Sequence, residues 1–234
     1  MSTKKDALHK LAQKRKGDKT WDGYYSIADF HDGVYECDYV SPYTKGASNL
    51  DASIFVMMQD WSSTDSLKKA VCQDSVKYGR TLGKPSNVNL ETLLQIHFGC
   101  RLSQTYATNL FPFIKVGPMN ARIPHRIMHR AAIEYGLPQI RIIKPKLVIC
   151  FGLPTFNGLR AAVGLRKVRT VNDGIDEPFM IESARVWLQT HTSPQAQNTR
   201  IRHGVNQVAF DWQRMVKSLN VDSAQAFQRF MKAA

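Results

Sequence analysis

Three polar residues at the ends of apolar runs carry the chemistry open to this sequence: Asp60, Asn109 and His191. Asp60 follows the run Ile54–Met58 and Gln59, and leads into Trp61 and the hydroxyls of Ser62 and Ser63. Asn109 sits in Tyr-Ala-Thr-Asn-Leu-Phe-Pro-Phe, and His191 opens His-Thr-Ser-Pro after the run 186–190. A carboxylate can act as a base or stabilise a cation, and an imidazole can stabilise a developing anion. A carboxamide donates and accepts at once, which suits it to reading a base edge. Each also has a structural role open to it: Asp60 as a helix cap, Asn109 in a turn, His191 as a bonded cleft side chain. Their shared position is what joins them, because open α/β sheets place ligands outside the carboxyl ends of their strands.

The elements that must position them follow from hydrophobic patterning. Runs at 54–58, 106–110, 146–151 and 186–190 read as strands, and the third is apolar enough to be buried on both faces. Helical segments lie between them. Ser63 or Thr64 caps one through Cys72, and Asn89 caps another over Leu90–Phe98 that ends at Gly99. Pro124 opens a third near Arg126–Tyr135 that ends at Gly136 and Pro138, with room for more helical turn before Lys144-Pro145, and residues 155–163 form a fourth ending at Gly164. Two more close the chain, near His203–Leu219 and over Asp222–Lys232. Residues 168–182 are polar and turn-rich, as a hairpin excursion would be. Strand–helix alternation predicts a three-layer α/β/α sandwich around a central, mainly parallel four-stranded sheet.

Length and composition set further bounds. With 234 residues and 43% hydrophobic content, the chain suits one α/β domain, 51–234, preceded by an extension, 1–50. That extension is basic over 2–20 and rich in aromatics from Trp21 onward, and is expected to pack on or beside the core. Its basic part reads as a short helix or arm touching phosphates, or as a solvated terminus. The formal net charge of +13 favours a polyanionic partner, since neutralising phosphates releases counterions. Cys37, Cys72, Cys100 and Cys150 form no Cys-x-x-Cys spacing, and are expected to be reduced thiols with no metal bound. No apolar stretch approaches the roughly 20 residues that cross a bilayer. A cytoplasmic monomer with no membrane contact is the expectation.

The strand-end motifs resemble those of the uracil-DNA glycosylase superfamily. Gln59-Asp60 is similar to the family's Gly-Gln-Asp-Pro-Tyr, Asn109 to its uracil-reading Asn, and His191-Thr192-Ser193-Pro194 to its His-Pro-Ser-Pro loop. Residues 143–152 are similar to the superfamily's Pro-Lys strand ending in Gly. The resemblance runs in order from about residue 52 to 215 and implies excision of uracil or a related deaminated base from single- or double-stranded DNA, without cofactor. Asp60 would position the water and stabilise the oxocarbenium-like sugar, and His191 would donate to O2 of the leaving base. Asn109 would read O4 and N3–H, and the Gln59 backbone would add a polar contact to the base. Ser193 and nearby amides of the Pro194-Gln195 turn would grip phosphates flanking a flipped nucleotide.

The departures are also informative. Met58, Trp61-Ser62 and Thr192 replace the family's Gly, Pro-Tyr and Pro, so the family's wall-forming Tyr is absent and Trp61 either walls the pocket with its larger ring or reshapes it. Gln195 takes the place of a Leu wedge. Tyr78, Phe98, Phe111 and Phe113 are candidates for the aromatic that stacks on the base. Arg200, Arg202 and His203 follow the His191 loop, and Lys115 and Arg122 follow Asn109; each suits a phosphate or solvent. Two alternatives stay open: a glycosylase-like protein that binds damaged or single-stranded DNA without cutting it, and a metal-dependent nuclease using Asp60 with Asp65 or Glu91.

Overall fold

The computed structural model describes residues 3–202 and 204–219. His203 and the helix expected over Asp222–Lys232 lie outside these described residues. The strands are β1 (Ile54–Asp60), β2 (Tyr106–Phe111), β3 (Leu147–Phe151), β4 (Phe179–Ile181) and β5 (Ala184–Gln189). They form one sheet in the order β2-β1-β3-β5-β4, with β4 antiparallel to β5 and the rest parallel. The sheet therefore has five strands where four were expected. The extra strand comes from the polar 168–182 stretch, where Phe179 and Ile181 turn inward and Met180 outward. Three alternating residues are too few to separate from a turn by pattern alone.

Helices cover both faces: α1 (Lys4–Gly17), α2 (Thr64–Leu67), α3 (Gln73–Tyr78), α4 (Pro85–Phe98), α5 (His125–Ala131), α6 (Leu137–Ile143), α7 (Leu153–Ala162), α8 (Val171–Asp176), α9 (Pro194–Asn198) and α10 (207–219). A two-stranded ribbon, β6 (Ile201–Arg202) and β7 (Val205–Asn206), precedes α10. Strand side chains alternate between faces, so Phe55 and Met57 of β1 join one core with Leu8, Leu11, Ile140 and Phe156. Val56 and Met58 join the other, with Leu90, Leu94, Trp212 and Met215. The result is a three-layer α/β/α sandwich.

Three helices differ from expectation for local reasons. The helix after β1 breaks into α2 and α3, and Gly79 caps α3 in a left-handed conformation. α4 begins a turn before Asn89, because Pro85 fits a first helical turn where its missing N–H costs nothing. Gly136 does not end the third helix. α5 passes through a π turn, Ala132–Gly136, into α6, and the Leu137 N–H reaches back five residues to the Ala132 carbonyl. That wider turn accommodates Pro138, which has no N–H to donate. Gly136 has its own reason to be there, since a Cβ would lie 2.6 Å from Cδ1 of Leu110 on β2.

The first fifty residues are built into this body. Thr3 and Asp6 form a capping box at the start of α1, and Lys4 donates to the carbonyls of Leu50 and Ile143. Arg15, fully buried, pairs with Glu36 and donates to the Cys37 and Tyr39 carbonyls. Residues 41–48 then lie along the open edge of β2, where Ala107 N–H bonds the Ala47 carbonyl and Thr44 Oγ1 donates to the Ala107 carbonyl. Covering that edge satisfies backbone groups that would otherwise recruit another strand.

Candidate active site

The order β2-β1-β3 means that the connections leaving β1 and β3 depart in opposite directions, which opens a crevice at their carboxyl ends. A cleft of about 1330 Å³ lies there, and Gln59, Asp60, Trp61, Asn109 and His191 all line it. Sheet register explains the convergence. Met58 of β1 is level with Asn109 of β2, so Asn109 and Asp60, two residues on, face the same side. His191 comes two residues after Gln189, which is level with Phe151 at the end of β3.

Asp60 is the most constrained of the three. Its Oδ2 lies 2.9 Å from Nζ of Lys115, both side chains being almost wholly buried, and Nε2 of Gln59 donates to its Oδ1 at 2.8 Å. Burial pushes the Asp60 carboxyl above the ordinary carboxylate range, against the opposing pull of Lys115 and Gln59. Lys115 also donates to the Met119 carbonyl. Its position is held because the strand-like segment after β2 bridges Ser63 there, with the Thr64 N–H bonded to the Lys115 carbonyl. Lys115 thus belongs neither to solvent nor to a phosphate: its partner is Asp60.

His191 receives the Ser193 backbone N–H on Nδ1 at 3.0 Å. The neutral ring then carries its proton on Nε2, as a donor. Burial holds this imidazole below its ordinary pKa, and Lys84 adds to the effect. The loop is pinned to α4 at two points: Thr192 Oγ1 donates to the Ser86 carbonyl at 2.7 Å, and Asn89 Nδ2 donates to the Thr192 carbonyl at 3.0 Å. Asn89 is therefore a tether to the His191 loop, where it was expected to cap a helix.

Asn109 is fully buried, and Ser41 Oγ donates to its Oδ1 at 2.6 Å. Among the described residues its Nδ2 has no hydrogen-bond partner. Asn109 lines the cleft with its accepting atom engaged by Ser41 and its donor nitrogen buried and unbonded. Trp61 forms part of the wall. Its indole N–H bonds the Gly79 carbonyl at 2.8 Å and its ring meets Tyr35 edge-on at 5.3 Å. Gly79 itself has no room for a side chain, since a Cβ there would fall 1.7 Å from the Pro42 carbonyl oxygen.

The other expected residues divide. Ser193 lines the cleft and caps α9 through the Ala196 N–H, with Pro194 and Gln195 exposed beside it. Arg200 points inward. Its guanidinium is buried, bonded through Nε to Asp211 at 3.0 Å and through a terminal nitrogen to Asn172 Oδ1 at 2.6 Å. That makes it an internal tie between α8 and α10, and it is not free to meet phosphate. Arg202 lies in β6, level with Val205. None of the four stacking candidates lines the cleft. Phe111 and Phe113 pack on Trp21, and Phe98 packs on Trp212, while Lys77 lies over the Tyr78 ring.

Tyr43 lines the cleft instead, its hydroxyl bonded to Asn87 Oδ1 at 3.0 Å, as does Tyr35. Lys84, Arg122, Lys167 and Arg169 are exposed cations around the opening. Ser41, Tyr43 and Lys84 escape motif reading, although Ser41-Pro42 and Lys84-Pro85 both carry the signal of a turn starting at proline. Among the described residues, no group of three or more His, Cys, Asp or Glu side chains converges as a metal site would require. Among them, too, no helix is long and apolar enough to cross a membrane. No protein-family model matches the chain, and no curated protein matches it either.

Proposed function

We propose that this chain is a divergent uracil-DNA glycosylase, a monofunctional N-glycosylase excising uracil or a related deaminated base from DNA. One observation carries the proposal: Asp60, Asn109 and His191, far apart in sequence, line a single cleft at the sheet's switch point. As the N-glycosidic bond lengthens, positive charge grows on the sugar and negative charge on the base. Asp60 stabilises the first and orients the attacking water. His191, neutral and donating from Nε2, stabilises the second without a proton having to move. Asn109 donates to the base, and Trp61 closes the wall. The flipped nucleotide's phosphates meet Ser193, the turn at Pro194 and Gln195, and the cations around the opening. The reaction needs no cofactor, and the chain works as a cytoplasmic monomer.

The test is release of free uracil, followed by chromatography, from single- and double-stranded oligonucleotides carrying one uracil. Release is the expected outcome. The ion pair between Asp60 and Lys115 favours a second possibility, because it offsets the charge that would stabilise the sugar. A protein of that kind binds damaged or single-stranded DNA and leaves it intact. Salt-dependent binding with no release from any modified base in a broad panel supports the binder; turnover on one of them eliminates it.

A further inference from the structure

We infer that Ser41, in the segment before the first strand, determines which bases the cleft accepts by fixing the orientation of the Asn109 amide. The inference rests on the cleft being a base pocket, as proposed above. Ser41 is fully buried. Its Oγ accepts the Tyr43 N–H at 3.3 Å and stands 2.6 Å from Oδ1 of Asn109. The identity of the Asn109 atom facing Ser41 follows from counting donors. With the amide reversed, Ser41 would accept twice and its own proton would be left buried without an acceptor, a costly state. With Oδ1 toward Ser41, the hydroxyl proton is satisfied and Nδ2 is the amide atom left over for a ligand in the cleft that Asn109 lines.

The unpartnered Nδ2 of Asn109 is what this arrangement leaves behind. A buried amide nitrogen without a partner at a cleft wall asks for an acceptor from the ligand. An exocyclic carbonyl supplies one, as in uracil and hypoxanthine. An exocyclic amino group, as in cytosine and adenine, would set N–H against N–H. Because Oδ1 is already held, Asn109 does not need to accept from a ring N–H, so the exocyclic oxygen is the atom it recognises. Ser41 therefore acts as a positioning residue that sets specificity without touching the base. Its place outside the motif-bearing region comes from the segment that covers the β2 edge, where Thr44 and Ala47 fix the backbone to Ala107.

The test compares binding of 1-methyluracil and 1-methylcytosine to the intact protein by NMR titration, in wild type, Ser41→Ala and Ser41→Cys. The cysteine variant keeps the shape if alanine compromises folding, and its S–H is a weak donor. Wild type should prefer the uracil by on the order of 10-fold or more, the scale of one base-edge hydrogen-bond contact. In both variants the ratio should fall toward one, because the amide is free to turn. A purely structural Ser41 would lower both affinities together and keep the ratio. An unchanged ratio, or no preference or no binding in wild type, overturns the inference. Base release from DNA with an unchanged ratio removes the role of Ser41 and leaves the glycosylase standing. A changed ratio without release does the reverse.

Discussion

Asp60 and Lys115 form the buried ion pair on which the proposed chemistry turns. Burial raises the carboxyl's pKa, and the lysine ammonium opposes that rise. If ionised Asp60 is required, the rate should fall as pH drops through this raised pKa, so the acid limb lies above the usual carboxylate range. Burial keeps the His191 imidazole neutral to lower pH than usual, so the donating neutral ring persists further into acid. Lys115→Met should move the limb to higher pH, measured as kcat/KM against pH. It should also cost about 3–5 kcal/mol of stability near neutral pH, since removing one partner strands the other. The sign with pH follows. Without the ammonium, folded Asp60 holds a proton that the unfolded chain has released, so stability declines as pH rises through the folded pKa. An unshifted acid limb would detach Lys115 from the reaction.

The element that aims His191 is the loop between β5 and α9, tied to the start of α4 by Thr192 and Asn89. Thr192→Val keeps shape and removes the bond to the Ser86 carbonyl. It should cost about 1–3 kcal/mol, because a buried acceptor loses its partner, and it should lower kcat more than it raises KM. Equal effects on substrate binding and turnover would mean that the tether only holds the fold. Elements also show what a sequence discloses. β1, β2, β3 and β5 were legible because each is a long apolar run, and Asp60, Asn109 and His191 because each interrupts or follows one. β4 was hidden by its length, and the continuity of α5 into α6 by Pro138, whose break is absorbed in a π turn. The Ser41–Asn109 and Lys115–Asp60 contacts join distant segments, and no local pattern encodes such pairs.

Across the whole molecule, the charge of +13 is unevenly useful. Arg15 and Arg200 are buried ties, whereas Lys84, Arg122, Lys167 and Arg169 surround the cleft opening. Arg200→Ala should strand Asp211 and cost about 3–5 kcal/mol in denaturant unfolding. It should leave unchanged the slope of log K for DNA against log salt. Lys84→Ala should instead spare stability and reduce that slope by about 1, as loss of one phosphate contact does. If the two variants exchanged these behaviours, the division between internal cations and those at the cleft opening would be wrong.

Single-turnover release of uracil by wild type, Asp60→Asn, His191→Ala and the double variant tests most directly whether the strand-end residues act together on one base. Each single change should slow release by on the order of 10²–10³-fold, as removal of one positioned group does. The double variant should fall short of the product of the two, because groups acting as a unit are non-additive. Release at the wild-type rate from either single variant would contradict the account.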